Sequence, residues 1–260
     1  MAPSKSTYFS AALPLLYRKA FMDIKTPALT PRLRAVAELV RDGAFVADVG
    51  TDHAYLPIAL VCEGRARGAV ASDINKCPYL RAKQNVEEHS LEDKITTVHC
   101  AGLSGIDKFS PTDILICGMG GELIASIIED APFTKNSEVR LVLQPMTHAE
   151  ILRKFLLDND FEIICERVVK EEKLYQIICA EYRGDTKTVD YNDAELLIGR
   201  LNINTGGELL SELVCHHLKI LENISSAKHN ASADADFEDK LIEKLKEIKN
   251  DCSRALSTFR

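Results

Sequence analysis

The stretch VADVGTDHAYLPI, residues 46–58, begins with the pattern of a buried strand and ends with that of a helix. The strand pattern is a short apolar run, and AYLPIALVCEG has helical spacing with Pro57 in its first turn, where proline is tolerated. Between them lies a turn made of Gly50, Thr51, Asp52 and His53. Three interpretations are open at this point: a degraded phosphate loop, a loop for a different ligand, or an ordinary strand-to-helix connection.

Alternating strand and helix patterns extend outward from this stretch on both sides. Upstream, Thr30 is placed to cap a helix that begins at Pro31, and downstream GAVASDI, ITTVHCA, DILICGM and RLVLQPM have the pattern of further strands. Five successive β-then-α units over about 45 to 160 predict an α/β fold, a parallel sheet with helices on both faces. FEIICERVVKEE and KLYQIICAEYR then follow without a helix between them, which predicts a terminal β-hairpin and one antiparallel strand.

The chain after Gly184 has a different pattern, because residues 185–260 look wholly helical. Two long amphipathic segments flank the polar run SSAKHNASADAD, which predicts a loop within an antiparallel, coiled-coil-like helical hairpin, preceded by a shorter helix at about 191 to 200. The predicted organisation is an N-terminal extension over residues 1–25, an α/β domain over 26–184 and a helical domain over 185–260. Residues 1–22 carry three basic side chains and no acid, a composition shared by transit peptides and by simple extensions.

The bulk composition limits the function classes. The chain has 260 residues, 46% hydrophobic and 27% charged, with a formal net charge of −7, so binding to nucleic acid would need a local basic face. No apolar run approaches the roughly 18 residues of a membrane helix, and no two of the eight cysteines are within three positions of each other. We therefore expect no membrane span, no metal site, free thiols and a cytoplasmic location.

Two carboxylates stand where open parallel sheets bind ligands, at the carboxyl ends of strands. Asp48 lies near the end of the first strand, and Asp73 ends the second at a distance from Gly50 that suits contact with a ribose hydroxyl pair. A dinucleotide fingerprint would place glycine where this chain has Asp52, whose charge would repel a pyrophosphate by about 1–4 kcal/mol at ~4 Å. The same charge attracts the sulfonium and ammonium groups of S-adenosylmethionine, although Asp52 also suits the N-cap of the following helix. His53 has both a structural and a catalytic interpretation.

Two further motifs follow the fourth and fifth strands. GMGGELI, residues 118–124, has three glycines in four positions, which let the backbone approach a ligand or form a tight turn with Gly121 opening the helix. It differs from the Asn/Asp-Pro-Pro-aromatic motif usual in enzymes that methylate the adenine amino group, which argues for a different acceptor. In LQPMTH, Gln144 is placed either to contact a base edge or at a strand end where Pro145 breaks the ladder and Thr147 caps a helix.

The segments LTPRLRAVAELV, VADVGTDHAYLPI, GMGGELI and LQPMTH, in this order, resemble the bacterial tRNA (adenine-22-N1)-methyltransferases. These are class I S-adenosylmethionine enzymes with a C-terminal helical coiled-coil domain. The resemblance is close over roughly residues 26–184 and architectural over the rest. It implies a Rossmann-like class I methyltransferase sheet, S-adenosyl-L-methionine as the cofactor, and tRNA as the partner that is methylated on N1 of an adenine.

The resemblance also implies roles for particular residues. Residues expected to hold the cofactor are Asp48, Gly50, Thr51, Asp52, His53, Asp73, Ile74, Gly102, Leu103, Gly118 and Gly120. Candidate catalytic residues are Asp52, His53, Gly118 and Met119, and candidate substrate-binding residues are Arg32, Arg34, Tyr55, Gly121 and Gln144. Asp73 would hold the ribose, and Gly118 to Gly121 would face the transferred methyl group. The family's usual Asp-Gly-Leu, whose acid would contact the cofactor's adenine amino group, is Ala101-Gly102-Leu103 here, so that contact is lost or replaced.

The chemistry expected at N1 depends on positioning more than on proton transfer. N1 of neutral adenine has a free lone pair and its methylated product is cationic, so in-line positioning and negative potential should carry catalysis. Asp52 is the candidate source of that potential, with Tyr55 as a candidate for base contact. The target base must be unpaired or flipped out, because N1 lies on its pairing edge.

Two parts of the chain are candidates for holding RNA. Residues 14–41 form a basic strip with a solvated helix face as the alternative interpretation, and its basic residues are Arg18, Lys19, Lys25, Arg32, Arg34 and Arg41. The helical domain carries ten basic and fourteen acidic residues, so it would act by shape or through Lys240, Lys244 and Lys246. Two other functions stay open: methylation of a small molecule or a protein, and a non-catalytic S-adenosylmethionine-binding module that docks a partner. The oligomeric state is open between monomer and dimer.

Overall fold

The computed structural model describes residues 26–184 and 190–258. The predicted N-terminal extension, with Arg18, Lys19 and Lys25, lies outside the described residues. The strands are β1 (Ala44–Val49), β2 (Ala66–Asp73), β3 (Ile95–His99), β4 (Asp113–Gly120), β5 (Arg140–Thr147), β6 (Phe161–Lys170) and β7 (Leu174–Tyr182). The α-helices are α1 (Pro31–Ala37), α2 (Tyr55–Cys62), α3 (Lys76–Glu88), α4 (Gly121–Glu129), α5 (Ala149–Asp158), α6 (Asp193–Ile198), α7 (Arg200–Thr205), α8 (Glu208–Asn230) and α9 (Asp236–Thr258). Short 3₁₀ helices span Asp107–Phe109 and Pro132–Thr134.

The seven strands form one sheet in the order β3-β2-β1-β4-β5-β7-β6. β1 pairs in parallel with β2 and β4, β2 with β3, and β4 with β5, whereas β7 is antiparallel to both β5 and β6. The prediction of a parallel sheet with one antiparallel strand from a terminal hairpin is therefore confirmed. Because the chain moves outward from β1 to β3 and then returns to continue from β4, a crevice forms at the carboxyl ends of β1 and β4.

Apolar side chains cover both faces of the sheet, which explains why its strands read as near-continuous apolar runs. On one face, Val46 and Leu115 pack in a core cluster with side chains of α1, α2 and α3. On the other face, Ile114 and Ile116 pack with side chains of α4 and α5. With both faces covered by helices, the strand ends are left to form a site.

Three local expectations about turns and strand ends are corrected by the structure. Asp52 does not cap α2: Ala54 occupies the N-cap position at a φ of 54°, and its N–H donates to the Thr51 hydroxyl at 3.1 Å. Thr147 does not cap α5, because His148 takes that position at a φ of 54° without a capping side chain. β5 continues past Pro145, pairing there with β4 across a register shift. The Thr30 hydroxyl does accept the Leu33 N–H, so that predicted cap is confirmed.

The helices after β7 include the predicted hairpin, α8 and α9, with a shorter loop than expected. Both helices extend into the polar run SSAKHNASADAD, since α8 ends at Asn230 and α9 begins at Asp236. Polar bonds hold these extensions together across the hairpin: Ser225 donates to Asp239 at 2.6 Å, and Lys228 pairs with Glu238. The expected single helix near 191 to 200 is two helices, α6 and α7, which meet at Gly199.

A buried ion pair joins the helices after β7 to the sheet. Arg153 of α5 and Glu166 of β6 are both fully buried, with Nε and Oε1 2.6 Å apart. Arg153 also donates to Gln176 of β7 and to the Leu196 carbonyl of α6. The second Glu166 oxygen accepts the Leu201 N–H of α7 at 2.9 Å. Through these bonds the ion pair connects α5, β6 and β7 to the two following helices, α6 and α7.

Candidate active site

A cavity of about 730 Å³ lies at the carboxyl ends of β1, β2 and β4, where the strand order predicts a ligand. Six of the predicted cofactor residues line it: Gly50, Asp73, Ile74, Gly102, Leu103 and Gly118. The candidate catalytic residue Met119 lines it as well, together with Leu123 and Ile127 of α4. Its volume falls within the range of about 300–1,000 Å³ usual for small-molecule sites.

The charged side chains in the described wall of this cavity are all acidic. Asp73 and Asp130 are carboxylates in its wall, and none of the described residues that line it is Lys, Arg or His. A pyrophosphate would therefore meet negative charge without a compensating cation. A ligand with sulfonium and ammonium groups and no phosphate fits the same surroundings.

Asp73 is positioned as the sequence predicts for a ribose contact. It ends β2, lines the cavity and has an exposed fraction of 7%. One of its carboxylate oxygens accepts the Asn75 N–H at 2.6 Å, which fixes the side chain. A carboxylate held in this way can accept hydrogen bonds from a hydroxyl pair.

Asp48 lies near Asp73 but is not among the residues lining the cavity. Burial raises the pKa of the Asp48 carboxyl to about 6, the hydrogen bond with Thr51 opposes this shift, and the charge of Asp73 adds to it. A cation bound beside these two carboxylates would favour the ionised form of Asp48. We therefore expect Asp48 to contribute to the negative electrostatic potential of the cavity and not to contact the cofactor directly.

The turn after β1 is fixed by its backbone, and Gly50 is required in it. The N–H groups of Gly50 and Thr51 both donate to the Ser72 carbonyl, at 2.8 and 2.9 Å, which binds the turn to the end of β2. Gly50 has a φ of 76°, and a Cβ there would overlap Met119 Cε. The single glycine of the turn thus allows contact between two walls of the cavity.

Asp52, His53 and Tyr55 lie on the exposed side of this turn rather than in the cavity wall. Asp52 is 3.3 Å from His53 Nε2 and 3.8 Å from Arg81 Nη1. The rings of His53 and Tyr55 stack with centroids 5.0 Å apart and an interplanar angle of 7°. The structure therefore brings three predicted site residues together in one exposed group, which we call the DHY rim.

Three other predicted contacts belong to the framework of the site. Thr51 is buried and uses its hydroxyl to accept the Ala54 N–H. Gly120 pairs with Thr147 in the β4–β5 ladder. Gly121 is buried, and a Cβ there would overlap the His148 carbonyl oxygen, so this glycine lets α4 approach the β5–α5 turn. Because Gly121 is packed in this way, it does not fit the predicted contact with substrate.

The candidate substrate residues Gln144, Arg32 and Arg34 have different surroundings. Gln144 is fully buried, and its amide oxygen accepts hydrogen bonds from Arg32 Nη1 at 2.6 Å and from the Gly118 N–H at 3.1 Å. The predicted contact of Gln144 with a base edge does not fit this burial. Arg34 forms an ion pair with Glu63 at 2.8 Å on the side of α1 that faces α2.

Sequence reasoning missed several residues of the cavity wall. Ser126 and Asp130 of the α4 region line the wall, and Ile127 would contact a Cβ placed on Gly102 at 3.2 Å. Their spacing along α4 is the signal that could have identified them, since residues three or four apart lie on one side of a helix. Cys117 also lines the cavity, and burial raises the pKa of its thiol, which leaves it protonated and unreactive.

Two further findings concern metals and membranes. Within residues 26–184 and 190–258, the His, Cys, Asp and Glu side chains form no group of three suited to a metal ion. Among the described helices, none combines the length and the apolar character that a bilayer crossing requires.

A seven-stranded sheet with one reversed strand, and a cavity at the ends of β1, β2 and β4 with carboxylates and no cation in its described wall, are the features of a Rossmann-like class I methyltransferase. The family described as "Methyltransferase domain" matches residues 29–178. The tRNA (adenine(22)-N(1))-methyltransferase of Bacillus subtilis is 39% identical over 174 residues, which cover 66% of this chain and 72% of that protein. The chain belongs to the tRNA (adenine(22)-N(1))-methyltransferase family.

Solved structures agree with this family over most of the chain. A Streptococcus agalactiae protein of the NADB-Rossmann superfamily is 34% identical with a TM-score of 0.78, covering 86% of this chain and 98% of that one. A Streptococcus pneumoniae protein, proposed to be a tRNA (m1A22) methyltransferase and solved with S-adenosyl-L-methionine, is 31% identical with a TM-score of 0.76. That match covers 85% of this chain and all of the other. The similarity extends over more of the chain than the α/β domain alone.

Proposed function

We propose that this protein transfers the methyl group of S-adenosyl-L-methionine to N1 of the adenine at position 22 of tRNA. The observation that carries the proposal is the cavity at the ends of β1, β2 and β4, which has carboxylates and no cation in its described wall. Family membership adds the acceptor, because the B. subtilis relative is a tRNA (adenine(22)-N(1))-methyltransferase. Action in the cytoplasm, expected from the sequence, is part of the same proposal.

The residues of the cavity fit the cofactor. Asp73 would accept hydrogen bonds from the ribose, Gly50 would line the methionine end through its backbone, and Gly118 would leave room for that end. Gly118 has a φ of 78°, and no atom lies within 4 Å of the position that a Cβ would occupy. When bound, S-adenosyl-L-methionine supplies an electrophilic methyl group on a sulfonium. Ala101 lines the cavity beside Ser104, and Asp130 is the acid available in place of the family's usual Asp.

The DHY rim is the proposed site of the target adenine. Its stacked His53 and Tyr55 rings offer an aromatic surface to a base that has left the helical stack. The exposed Asp52 carboxylate provides negative potential where N1 acquires positive charge. Neither role requires a strong base, because N1 of adenine already has a free lone pair.

The RNA contacts proposed from the described residues lie on two surfaces. Arg34 on α1 stays a candidate phosphate contact, although Glu63 shares its charge. On α9, Lys240 and Lys244 are one turn apart, whereas Lys246 pairs with Glu222 of α8 and is directed toward the partner helix. Lys244 likewise pairs with Glu247, at 3.6 Å, and because both pairs are exposed, all three lysines stay candidate RNA contacts.

The experiment that tests this function uses purified protein, isotopically labelled S-adenosyl-L-methionine and unmodified tRNA, followed by nucleoside analysis. We expect labelled N1-methyladenosine, and no label when the adenine at position 22 is replaced by another base. Label in a protein or a small molecule, with none in tRNA, would support the alternative methyltransferase function. Cofactor binding without transfer to any acceptor would support a non-catalytic module.

Asp52→Asn separates binding from catalysis at the DHY rim. If Asp52 contributes potential at N1, turnover should fall by about 10- to 100-fold and stay low at saturating cofactor. A role limited to holding the cofactor predicts that turnover recovers once the cofactor saturates the site. Steady-state kinetics over a range of cofactor concentrations decides between these outcomes.

A further inference from the structure

Gln144 connects two distant parts of the chain beneath the GMGG segment. Its amide oxygen accepts from Arg32 Nη1 of α1 at 2.6 Å and from the Gly118 N–H of β4 at 3.1 Å. Its amide nitrogen donates to the Pro145 carbonyl at 3.0 Å. Because Gln144 is fully buried and bonded through both ends of its amide, its polar atoms are directed at the protein interior.

The Gly118 N–H needs this partner because the strand ladder is interrupted there. Cys117 pairs with Gln144 and Met119 pairs with Pro145, so Gly118 is an extra residue opposite two consecutive residues of β5. Such a bulge leaves the extra residue without a ladder partner, and the positive φ of Gly118 is typical of it. The Gln144 side chain replaces the missing backbone acceptor.

Arg32 is held in place by two other groups besides Gln144. Its backbone N–H donates to Glu171 at 3.0 Å, and its guanidinium lies 5.3 Å from the centre of the Tyr175 ring. Its Nε is buried and has no hydrogen-bond partner among the described residues. A buried donor left unbonded is unfavourable, so the guanidinium is oriented for its bond to Gln144 at the expense of its own Nε.

We propose that Arg32 and Gln144 are positioning residues for methyl transfer, which hold the Gly118 bulge against the methyl end of the cavity. Neither side chain contacts RNA in this role, and both act through the Gly118 backbone. The inference rests on the proposed function and deepens it, because it assigns two predicted substrate contacts to the geometry of the transfer site. Gly118 itself lines the cavity. A shift of its peptide would therefore move the part of the wall that faces the methyl group and the adenine in the proposed reaction.

The test uses the full chain with Gln144→Leu, which removes the acceptor, and Gln144→Glu, which keeps one. Amide exchange of Gly118 is followed by NMR on protein labelled with ¹⁵N-glycine, without RNA. In Gln144→Leu we expect Gly118 exchange to accelerate by about tenfold or more, since the N–H loses its partner. Turnover at saturating cofactor and tRNA should fall by about 10- to 100-fold, with KM for tRNA within about twofold of the wild-type value. Gln144→Glu should retain most of the protection and turnover.

Arg32→Met should reproduce the effect of Gln144→Leu more weakly, and Arg32→Lys should restore part of it by donating to Gln144. Arg140→Met is the control, because Arg140 bonds the opposite end of β5 to the chain after α1 through the Leu39 carbonyl, and its ion pair with Glu181 lies at that end as well. It should leave Gly118 exchange and turnover of the folded protein unchanged.

Two results would overturn the proposal. One is unchanged Gly118 exchange in Gln144→Leu. The other is a raised KM for tRNA with unchanged turnover in Arg32→Met, which would make Arg32 a direct RNA contact. Failure of the wild-type protein to methylate tRNA would refute the proposed function instead, and the exchange comparison would still decide whether Gln144 holds the bulge.

Discussion

Two arginine-centred clusters, one behind Gly118 of the cavity wall and one between the sheet and the helices after β7, satisfy their polar groups to different extents. At the junction, each nitrogen of the Arg153 guanidinium donates a hydrogen bond, and both Glu166 oxygens accept one. Behind Gly118, Arg32 bonds Gln144 through Nη1 while its buried Nε has no partner among the described residues. All the guanidinium nitrogens of Arg153 are therefore hydrogen-bonded at the junction, whereas one guanidinium nitrogen of Arg32 is not, within the part of the chain that the structure describes.

Glycines show the same contrast in what they permit. At the junction, Gly199 has a φ of 95°, and a Cβ there would lie 2.5 Å from a Glu166 oxygen, so this glycine serves the ion pair. At the cavity, Gly118 has a φ of 78° with open space beside it. A left-handed glycine next to packed atoms lets two parts of the fold approach closely, whereas Gly118, a left-handed glycine in the cavity wall, leaves its side open to a ligand.

The largest expected effect comes from breaking the fully hydrogen-bonded cluster with Arg153→Met. Glu166 would remain buried with its charge uncompensated, so we expect the free energy of unfolding to fall by about 3–5 kcal/mol. Denaturant titration followed by circular dichroism measures this change. Lys154→Met is the control, because Lys154 forms an exposed pair with Asp158 at 3.1 Å and should change stability by less than about 0.5 kcal/mol. Equal shifts in the two variants would contradict a structural role for the buried pair.

The next effect concerns the buried carboxyl at the cavity and depends on pH. The pKa of Asp48 is raised from 3.8 to about 6, so the folded protein holds this proton more tightly than the unfolded chain does. Its contribution to stability is therefore complete below pH 3.8 and is lost as the pH rises through about 6, with a total of about 3 kcal/mol. Asp48→Asn should remove this loss.

Unfolding free energies of both proteins between pH 4 and pH 7 provide the measurement, because the difference between the curves isolates Asp48. The wild-type protein should lose stability relative to Asp48→Asn as the pH rises across that window. Added S-adenosyl-L-methionine should reduce the loss, since a cation favours the ionised carboxylate. Parallel curves would show that Asp48 titrates alike in the folded and unfolded chains.

The fold was predictable because its signals are local. Apolar runs alternate with helical spacing from β1 to α5, and the absence of a helical pattern between β6 and β7 predicts their hairpin. The ligand edge follows from the same alternation, since parallel strands end on one side. Asp73 and Gly50 could be located in this way without knowing any side-chain direction.

The remaining site features depend on conformations that residue types do not determine. Asp52 suits an N-cap by type, but the left-handed Ala54 intervenes and leaves Asp52 exposed. Gln144 looks like a base reader by position, but the bulge at Gly118 creates an unpaired N–H that draws the amide inward. The pair of Arg153 and Glu166 joins residues from separate elements, so no local pattern announces it.

A smaller effect is expected from Gly50→Ala at the cavity edge. The left-handed conformation should be strained by about 1–2 kcal/mol, and displaced Met119 should enter the cavity and raise the Kd for S-adenosyl-L-methionine by about tenfold. Gly64→Ala is a matched control, because Gly64 has a φ of 73° and open space around a Cβ, compared with 76° at Gly50. Calorimetric titration should find weakened binding in Gly50→Ala alone. If both variants bound S-adenosyl-L-methionine equally weakly, backbone strain rather than the displaced Met119 would explain the loss.

The smallest effect is expected on the hairpin surface, far from both clusters. Replacing Lys240 and Lys244 by Gln should weaken tRNA binding by less than about threefold, because exposed charges are screened and Glu247 lies 3.6 Å from Lys244. The salt dependence of binding is the sharper measurement, since losing phosphate contacts should reduce its slope by about one for each contact. Lys154→Gln on α5 is the control for a lysine outside the hairpin. An unchanged slope in the double variant would show that these two lysines contact no phosphate, so the hairpin would hold tRNA by shape or not at all.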